Sequence, residues 1–271
     1  MGEVIKGTVC ADRYTMDYFY FGKGEKPLVI IPGISVQSVV PSAGAIEKAY
    51  REMEDEFTVY VIDRARQLPP DYKIQDMAED TADAIERLGL KEICMFGASQ
   101  GGMIAILTAA SHPGLVRAMV LGSTCADITE LRYKVMERWE VLAAGRDGAA
   151  LYETFGNDIY PPAFMERFGK AMKRLGTLAT EEEMDHFITL VRACRGMNLM
   201  DCLDHIVCPV LVIGAKDDAV FGPDAAPEIF ERLKGREDCE LYLYDGYGHA
   251  CFDTAPDYKK RLLRFFAVHA S

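Results

Sequence analysis

Ser99 stands in the pentapeptide Gly97-Ala98-Ser99-Gln100-Gly101. The apolar run Glu92-Ile93-Cys94-Met95-Phe96 leads into it, and Gly102-Met103-Ile104-Ala105-Ile106-Leu107 follows. The first run reads as a strand and the second as a helix. A hydroxyl on the turn between them is lifted out of the sheet, and the helix N-terminus favours the negative charge that develops beside it. The flanking glycines let neighbouring backbones approach with no Cβ in the way. These are the requirements of nucleophilic catalysis, in which a serine oxygen attacks a carbonyl.

Such a serine needs a base, and the base needs an orienting carboxylate. The chain has five histidines. His112 lies at the far end of the helix that starts at Ser99, about 20 Å away at 1.5 Å per residue. His186 and His205 belong to a helical stretch in mid-chain, and His269 to the terminal helix. His249 instead follows the apolar run Leu241–Tyr244 in the loop Asp245-Gly246-Tyr247-Gly248-His249-Ala250, and is the expected base. The run Val210–Ile213 ends in Gly214-Ala215-Lys216-Asp217-Asp218, and either aspartate would emerge at the same edge. Asp127 is an outside candidate, and Asp63 reads as a structural group at a strand end.

A tetrahedral intermediate also needs donors for its oxyanion. The amide of Gln100 opens the helix after Ser99. The loop Pro32-Gly33-Ile34-Ser35 follows the run Leu28–Ile31 and offers the amide of Ile34.

The elements that must position these groups follow from hydropathy. Two alternating stretches, Glu3–Val9 and Thr15–Phe21, predict an antiparallel hairpin at a sheet edge. Six short apolar runs, including Thr58–Ile62 and Val116–Leu121 with those already named, have the character of strands buried on both faces. Helical patterns separate most of them. In the clearest, Ile74, Met77, Ala78, Thr81, Ala84, Ile85 and Leu88 share one face, Asp76, Glu79, Asp80 and Asp83 lie off it, and Gly89 ends it. The expected fold is α/β, a doubly wound, mostly parallel eight-stranded sheet with catalytic groups beyond the carboxyl ends of its strands.

One interval breaks the alternation. From about Cys125 to His205 no strand is expected, only helices rich in Met, Phe and Tyr. The expected organisation is a core of residues 1–124 and 206–271 with a helical lid, 125–205, inserted between two strands. The underside of the lid would line an apolar substrate pocket, with Met136, Trp139 and Phe155 as the expected contacts.

A net charge of −12 sets the chain against nucleic acid and anionic membrane surfaces. No segment has the length and apolarity of a membrane span. The N-terminal residues lack the layout of a signal peptide, and the eight cysteines are then expected as free thiols in a cytoplasmic protein. Cys202, His205 and Cys208 are evenly spaced, yet a zinc site would need a fourth ligand and usually tighter pairs, so packing is the expected role and no metal or other cofactor is expected.

With these residues in place the chain resembles the α/β-hydrolase superfamily, specifically its lid-bearing branch of esterases, lipases and lactonases. The likeness covers nearly the whole chain. It rests on the Gly97–Gly101 turn, the edge hairpin, and the order of serine, acid and histidine. It rests also on Val61-Ile62-Asp63-Arg64, on Ala110-Ser111-His112-Pro113 with Val116-Arg117-Ala118, and on Gly248-His249 with Ala255-Pro256. In that family the acid commonly stands three residues after a strand-ending glycine, which implies Asp217 here; Asp218 then reads as a solvated neighbour or a loop cap. The family's His-Gly oxyanion loop is Pro32-Gly33 in this chain. Gln100, where the family often has Met, is similar to carboxylesterases acting on acyl thioesters and lysolipids.

The resemblance implies acyl transfer on small, largely apolar esters or thioesters, with Ser99, His249 and Asp217 as the triad. Two rivals stand beside it: hydrolysis of a C–C bond or lactone on the same triad, and a hydrolase fold used as a small-molecule receptor. The lack of an aspartate nucleophile sets aside epoxide and haloalkane chemistry. Monomer and dimer are left equal by the sequence.

Overall fold

A computed structural model describes residues 3–270; Met1, Gly2 and Ser271, at the ends of the expected core segments, lie outside it. The chain runs β1 (Ile5–Cys10), β2 (Thr15–Phe21), β3 (Lys26–Ile31), α1 (Ala43–Tyr50), β4 (Phe57–Ala65), α2 (Ile74–Arg87), β5 (Ile93–Ala98), α3 (Gln100–Ser111) and β6 (Val116–Gly122). Four helices follow: α4 (Glu130–Ala144), α5 (Gly148–Ile159), α6 (Pro162–Gly176) and α7 (Glu181–Arg192). The chain then returns to β7 (Val210–Ala215), α8 (Ala225–Leu233), β8 (Cys239–Tyr244), α9 (Cys251–Thr254) and α10 (Tyr258–His269).

The strands form one sheet in the order β1-β2-β4-β3-β5-β6-β7-β8. The β1–β2 hairpin is antiparallel and β2 joins β4 antiparallel; every later pairing is parallel. The strands therefore all deliver their following loops to one edge from β3 to β8, with β5 near the middle.

Alternation of side chains divides the core into two layers. Val29, Ile31, Ile93, Met95, Met119, Leu121, Val210 and Val212 face one side, with buried residues of α2, α3 and α8. Leu28, Ile30, Cys94, Phe96, Ala118, Val120, Leu211 and Ile213 face the other, with Ala43 and Tyr50 of α1 and Tyr258, Leu262 and Phe266 of α10. Both sheet faces are covered, which is why the strands read as continuous apolar runs. Helix α1 was not legible as such. Its Ala- and Gly-rich segment has a short apolar face and no capping hydrogen bond at Ser42.

In α2 the apolar stripe is buried as its spacing predicts, with one correction. Asp80, expected off that face, is only 3% exposed. It accepts a hydrogen bond from the Tyr72 hydroxyl at 2.6 Å and pairs with Arg13 at 2.7 Å. The β1–β2 turn and the loop before α2 cover this flank, and burial pushes the carboxyl above its ordinary range.

Helices α4–α7 lie between β6 and β7 in the chain, within the interval where no strand was expected. Among the described residues only an isolated bridge, Asp127 with Asn198, adds β character there. No helix among the described residues is long and apolar enough to cross a membrane.

The crossing of β3, β5 and α3 is the tightest point near the carboxyl edge. A Cβ on Gly101 would stand 2.1 Å from the Ile31 carbonyl oxygen and 2.5 Å from that of Pro32, both backbone atoms. Gly114 meets nothing within 4 Å. Gly101→Ala is therefore expected to lower unfolding free energy by about 3 kcal/mol or more, or to prevent folding. Gly114→Ala should change it by about 0.5 kcal/mol or less. Urea denaturation of the two variants checks the contrast.

Candidate active site

Ser99 follows β5 and is the N-cap residue of α3, with φ 51° and ψ −122°. A non-glycine residue held there costs about 1–3 kcal/mol, so its surroundings must over-determine it. The Ser99 amide donates to the Gly122 carbonyl at 2.8 Å. Its own carbonyl accepts from the Gly102 amide at 2.8 Å and the Thr124 hydroxyl at 2.7 Å. The side chain is 7% exposed.

His249 lies within reach. Its Nε2 is 3.0 Å from Ser99 Oγ, and its Nδ1 is 2.8 Å from Asp218 Oδ2. All three side chains are buried. Three segments far apart in sequence thus meet in one hydrogen-bonded line. The ring of Phe221 stands edge-on to the imidazole at 5.1 Å, with Phe252 at 6.4 Å, and both limit water around it.

The acid is a correction. Asp217, the expected partner of His249, does not reach the imidazole. Strand β7 continues to Ala215, and a turn closed by the Asp218 amide on the Ala215 carbonyl leaves Asp217 outside and Asp218 inside. Asp218 Oδ1 accepts from the amides of Val220 at 2.8 Å and Phe221 at 3.0 Å, while Oδ2 is left for the histidine. Asp217 accepts from the amides of Gly246 at 3.1 Å and Gly248 at 3.0 Å. It braces the loop that carries His249. Gly248 needs its lack of a side chain, with φ +66° and the Ile159 carbonyl oxygen 3.1 Å from where a Cβ would stand.

Asp127 is not part of this line: it pairs with Asn198 and its carbonyl accepts from Arg132. Asp63 accepts from the Ser38 hydroxyl at 2.6 Å and from the Val39 and Arg64 amides, holding the loop after β3. Among the described residues no group of histidine, cysteine and carboxylate side chains has the geometry of a metal site, and this includes Cys202, His205 and Cys208.

The loop Pro32–Ser35 lies directly against the serine. A Cβ on Gly33 would be 3.3 Å from Ser99 Cβ. Behind it, buried Arg64 donates from Nη2 to the Pro32 carbonyl at 2.7 Å and from Nε to the Gln100 side-chain oxygen at 3.2 Å. Burial lowers the pKa of this guanidinium, with Asp63 opposing. Gln100 in turn donates to the Leu190 carbonyl at 2.8 Å and to Cys194 Sγ at 3.3 Å. Its side chain therefore points to α7 and not to a substrate. Arg64 ties the loop after β3 to the start of α3, a role that the sequence, where it is simply the neighbour of Asp63, did not reveal.

Ser99 and His249 open on a cavity of about 360 Å³. Ile30, Val61, Phe96 and Ala98 belong to the sheet face covered by α1 and α10, so the cavity extends along that side of the carboxyl edge. Ile46 and Tyr50 of α1 form its floor; Trp139, Phe155, Ile159 and Tyr160 face it from the helices between β6 and β7. Trp139 and Phe155 are among its lining residues. Met136, also expected there, is not among the lining residues and is buried in the core at 1% exposure. Ile34 lines the cavity and Gln100 does not.

The sequence profile described as the alpha/beta hydrolase family matches residues 28–258. The chain belongs to the alpha/beta hydrolase family. Among relatives, the serine hydrolase BPHL of Mus musculus is 26% identical over 243 residues, 86% of this chain and 77% of its own. RutD of Pantoea ananatis, whose name assigns it provisionally to carbamate hydrolysis, is 25% identical over 195 residues, 70% and 69% of the two chains. Among solved structures, the enzyme MGS-M2 from a Medee basin deep-sea metagenome library superposes with a TM-score of 0.84 at 20% identity, covering 96% of this chain and 97% of its own. The enol-lactonase of Burkholderia xenovorans LB400 gives 0.82 at 17% identity, covering 96% and 100%. At these identities the solved structures share the hydrolase fold.

The two neighbouring aspartates differ in their hydrogen-bond partners. Asp218→Asn should slow reaction with a fluorophosphonate probe by about 10³- to 10⁴-fold, because the amide favours the wrong imidazole tautomer. Asp217→Asn should slow it less than about tenfold, since the ring's own partner stays in place. Rates of probe incorporation measured on both variants check the assignment.

Proposed function

We propose that this protein is a serine hydrolase that cleaves carboxylic esters or thioesters of small, largely apolar compounds through an acyl-enzyme. The observation that carries the reading is the unbroken line Asp218–His249–Ser99 at the wall of an apolar cavity. In this mechanism Ser99 Oγ attacks the carbonyl carbon while His249 Nε2 takes its proton. Asp218 holds the Nδ1–H tautomer and stabilises the imidazolium. The imidazolium then protonates the leaving alkoxide or thiolate, and water, activated by the same ring, releases the acid.

The oxyanion would rest on the amides of Ile34 and Gln100. The close packing of Gly33 on Ser99 and the anchoring of Pro32 by Arg64 support that assignment. Donors fixed before the reaction carry no reorganisation cost, and each is worth about 10²- to 10³-fold in rate. The positive end of α3 acts in the same direction.

Residues 125–205 are proposed as a lid on the core formed by 1–124 and 206–271. The four side chains that α4, α5 and the α5–α6 junction present to the cavity support this role. A volume of about 360 Å³ lies near the lower end of the usual range of about 300–1,000 Å³ for ligand sites, which favours short acyl groups.

Ser99→Ala should abolish fluorophosphonate labelling and lower turnover of p-nitrophenyl acetate and butyrate by about 10⁴-fold or more. Labelling without turnover of any carbonyl substrate would instead support a receptor. The enol-lactonase shares this fold, so lactones and diketones belong in the same panel. Their hydrolysis in place of the simple esters would move the reaction to a lactone or C–C bond.

A further inference from the structure

Asp253 is the one aspartate or glutamate among the residues lining the cavity that holds Ser99 and His249. It sits on the short helix α9, four residues beyond His249, between Phe252 and Thr254. Asp253 is exposed, and it is one of the residues that line the cavity. Among the described residues its direct hydrogen-bond partner is the Tyr160 hydroxyl, which donates to Oδ2 at 3.2 Å, a long contact for two oxygens. A carboxylate offers about four acceptor positions, so most of its capacity is not taken by protein groups.

We propose that Asp253 is a recognition site for an ammonium group, and that the compounds cleaved at Ser99 carry a protonated or quaternary amine. This rests on reading the cavity as the substrate site. A ligand filling the cavity displaces water from the part of Asp253 that faces it. A wholly apolar ligand would leave that part of the carboxylate dehydrated and poorly paired, whereas a cation beside it supplies a partner.

The cavity walls point the same way. Tyr50, Trp139, Phe155, Tyr160 and Phe252 surround the space with aromatic surface, which attracts cations and tolerates the carbon groups attached to them. The protein's net charge of −12 also favours the approach of cationic solutes.

Lys259 is the nearby cation and does not complete the site. Its ammonium donates to the Phe252 carbonyl and lies over the rings of Tyr50 at 5.4 Å and Tyr258 at 5.9 Å. It is not a lining residue, and among the described residues no ion pair joins it to Asp253. Desolvation by the protein packed around it raises the pKa of Asp253 more than Lys259 and the Tyr160 hydrogen bond lower it. An incoming cation would pull it back down.

The test compares matched substrates. Ethyl esters of phenylalanine and 3-phenylpropanoic acid place or omit an ammonium in the acyl half. Butyrates of choline and 3,3-dimethylbutanol do so in the alcohol half. The expected result is a kcat/KM about tenfold or more higher for the cationic member of at least one pair, falling towards equality in Asp253→Asn. Equal rates in both pairs, or a preference that survives in Asp253→Asn, would overturn the proposal.

Binding of n-hexylammonium against n-hexanol, measured by calorimetry on wild type and Asp253→Asn, separates this proposal from the hydrolytic one. Tighter ammonium binding that is lost in the variant supports the site even if no ester is turned over. Equal binding of amine and alcohol overturns it. Absence of turnover together with absence of fluorophosphonate labelling counts against hydrolysis alone.

Discussion

The imidazole of His249 has to satisfy two partners at once, and the positions of three chain segments follow from that requirement. Nε2 must meet Ser99 Oγ at the end of β5, and Nδ1 must meet Asp218 beyond β7. The ring is buried, so an error of an ångström on either side would leave a polar atom without a partner in a medium where that is costly. Much of the surrounding structure fixes this one ring. Asp217 braces the loop before it, Ile159 accepts the amide just after it, and Phe221 and Phe252 wall it in.

The serine is constrained from the opposite side. Its positive φ is maintained by hydrogen bonds to Gly122 and Thr124 and by the passage of Gly101 beneath β3. The same packing brings the loop after β3 against Ser99, where Arg64 anchors it to Gln100. Gln100 then reaches Leu190 and Cys194, so the turn bearing the serine, the loop beside it and the region of α7 form one connected unit. A shift of α7 would be felt at Ser99 through these contacts.

The parts of the molecule governed by local pattern were legible in the sequence. All eight strands stand where hydropathy placed them, because strands buried on both faces have little freedom in composition. Ser99 and His249 were found from their places after strands, and the geometry brings them together. The acid was not legible. Asp217 and Asp218 are adjacent and chemically identical, and which one turns inward depends on β7 running two residues past Ile213. A weak signal existed in the neighbours: Lys216 pairs with Asp245 at the surface, whereas Val220 and Phe221, just beyond Asp218, are buried. Met136 shows a similar limit. Its helix does face the cavity through Trp139, but composition cannot say which turn of that helix reaches it. The cavity's floor was missed because α1 was missed.

The hydrogen bond between His249 Nδ1 and Asp218 can be observed without any substrate. Proton NMR of the resting protein should show one resonance far downfield of the amide region, from the Nδ1 proton held against a buried carboxylate. The account predicts that this resonance disappears or moves strongly upfield in Asp218→Asn and persists in Asp217→Asn. Its persistence in Asp218→Asn and loss in Asp217→Asn would contradict the account at its centre.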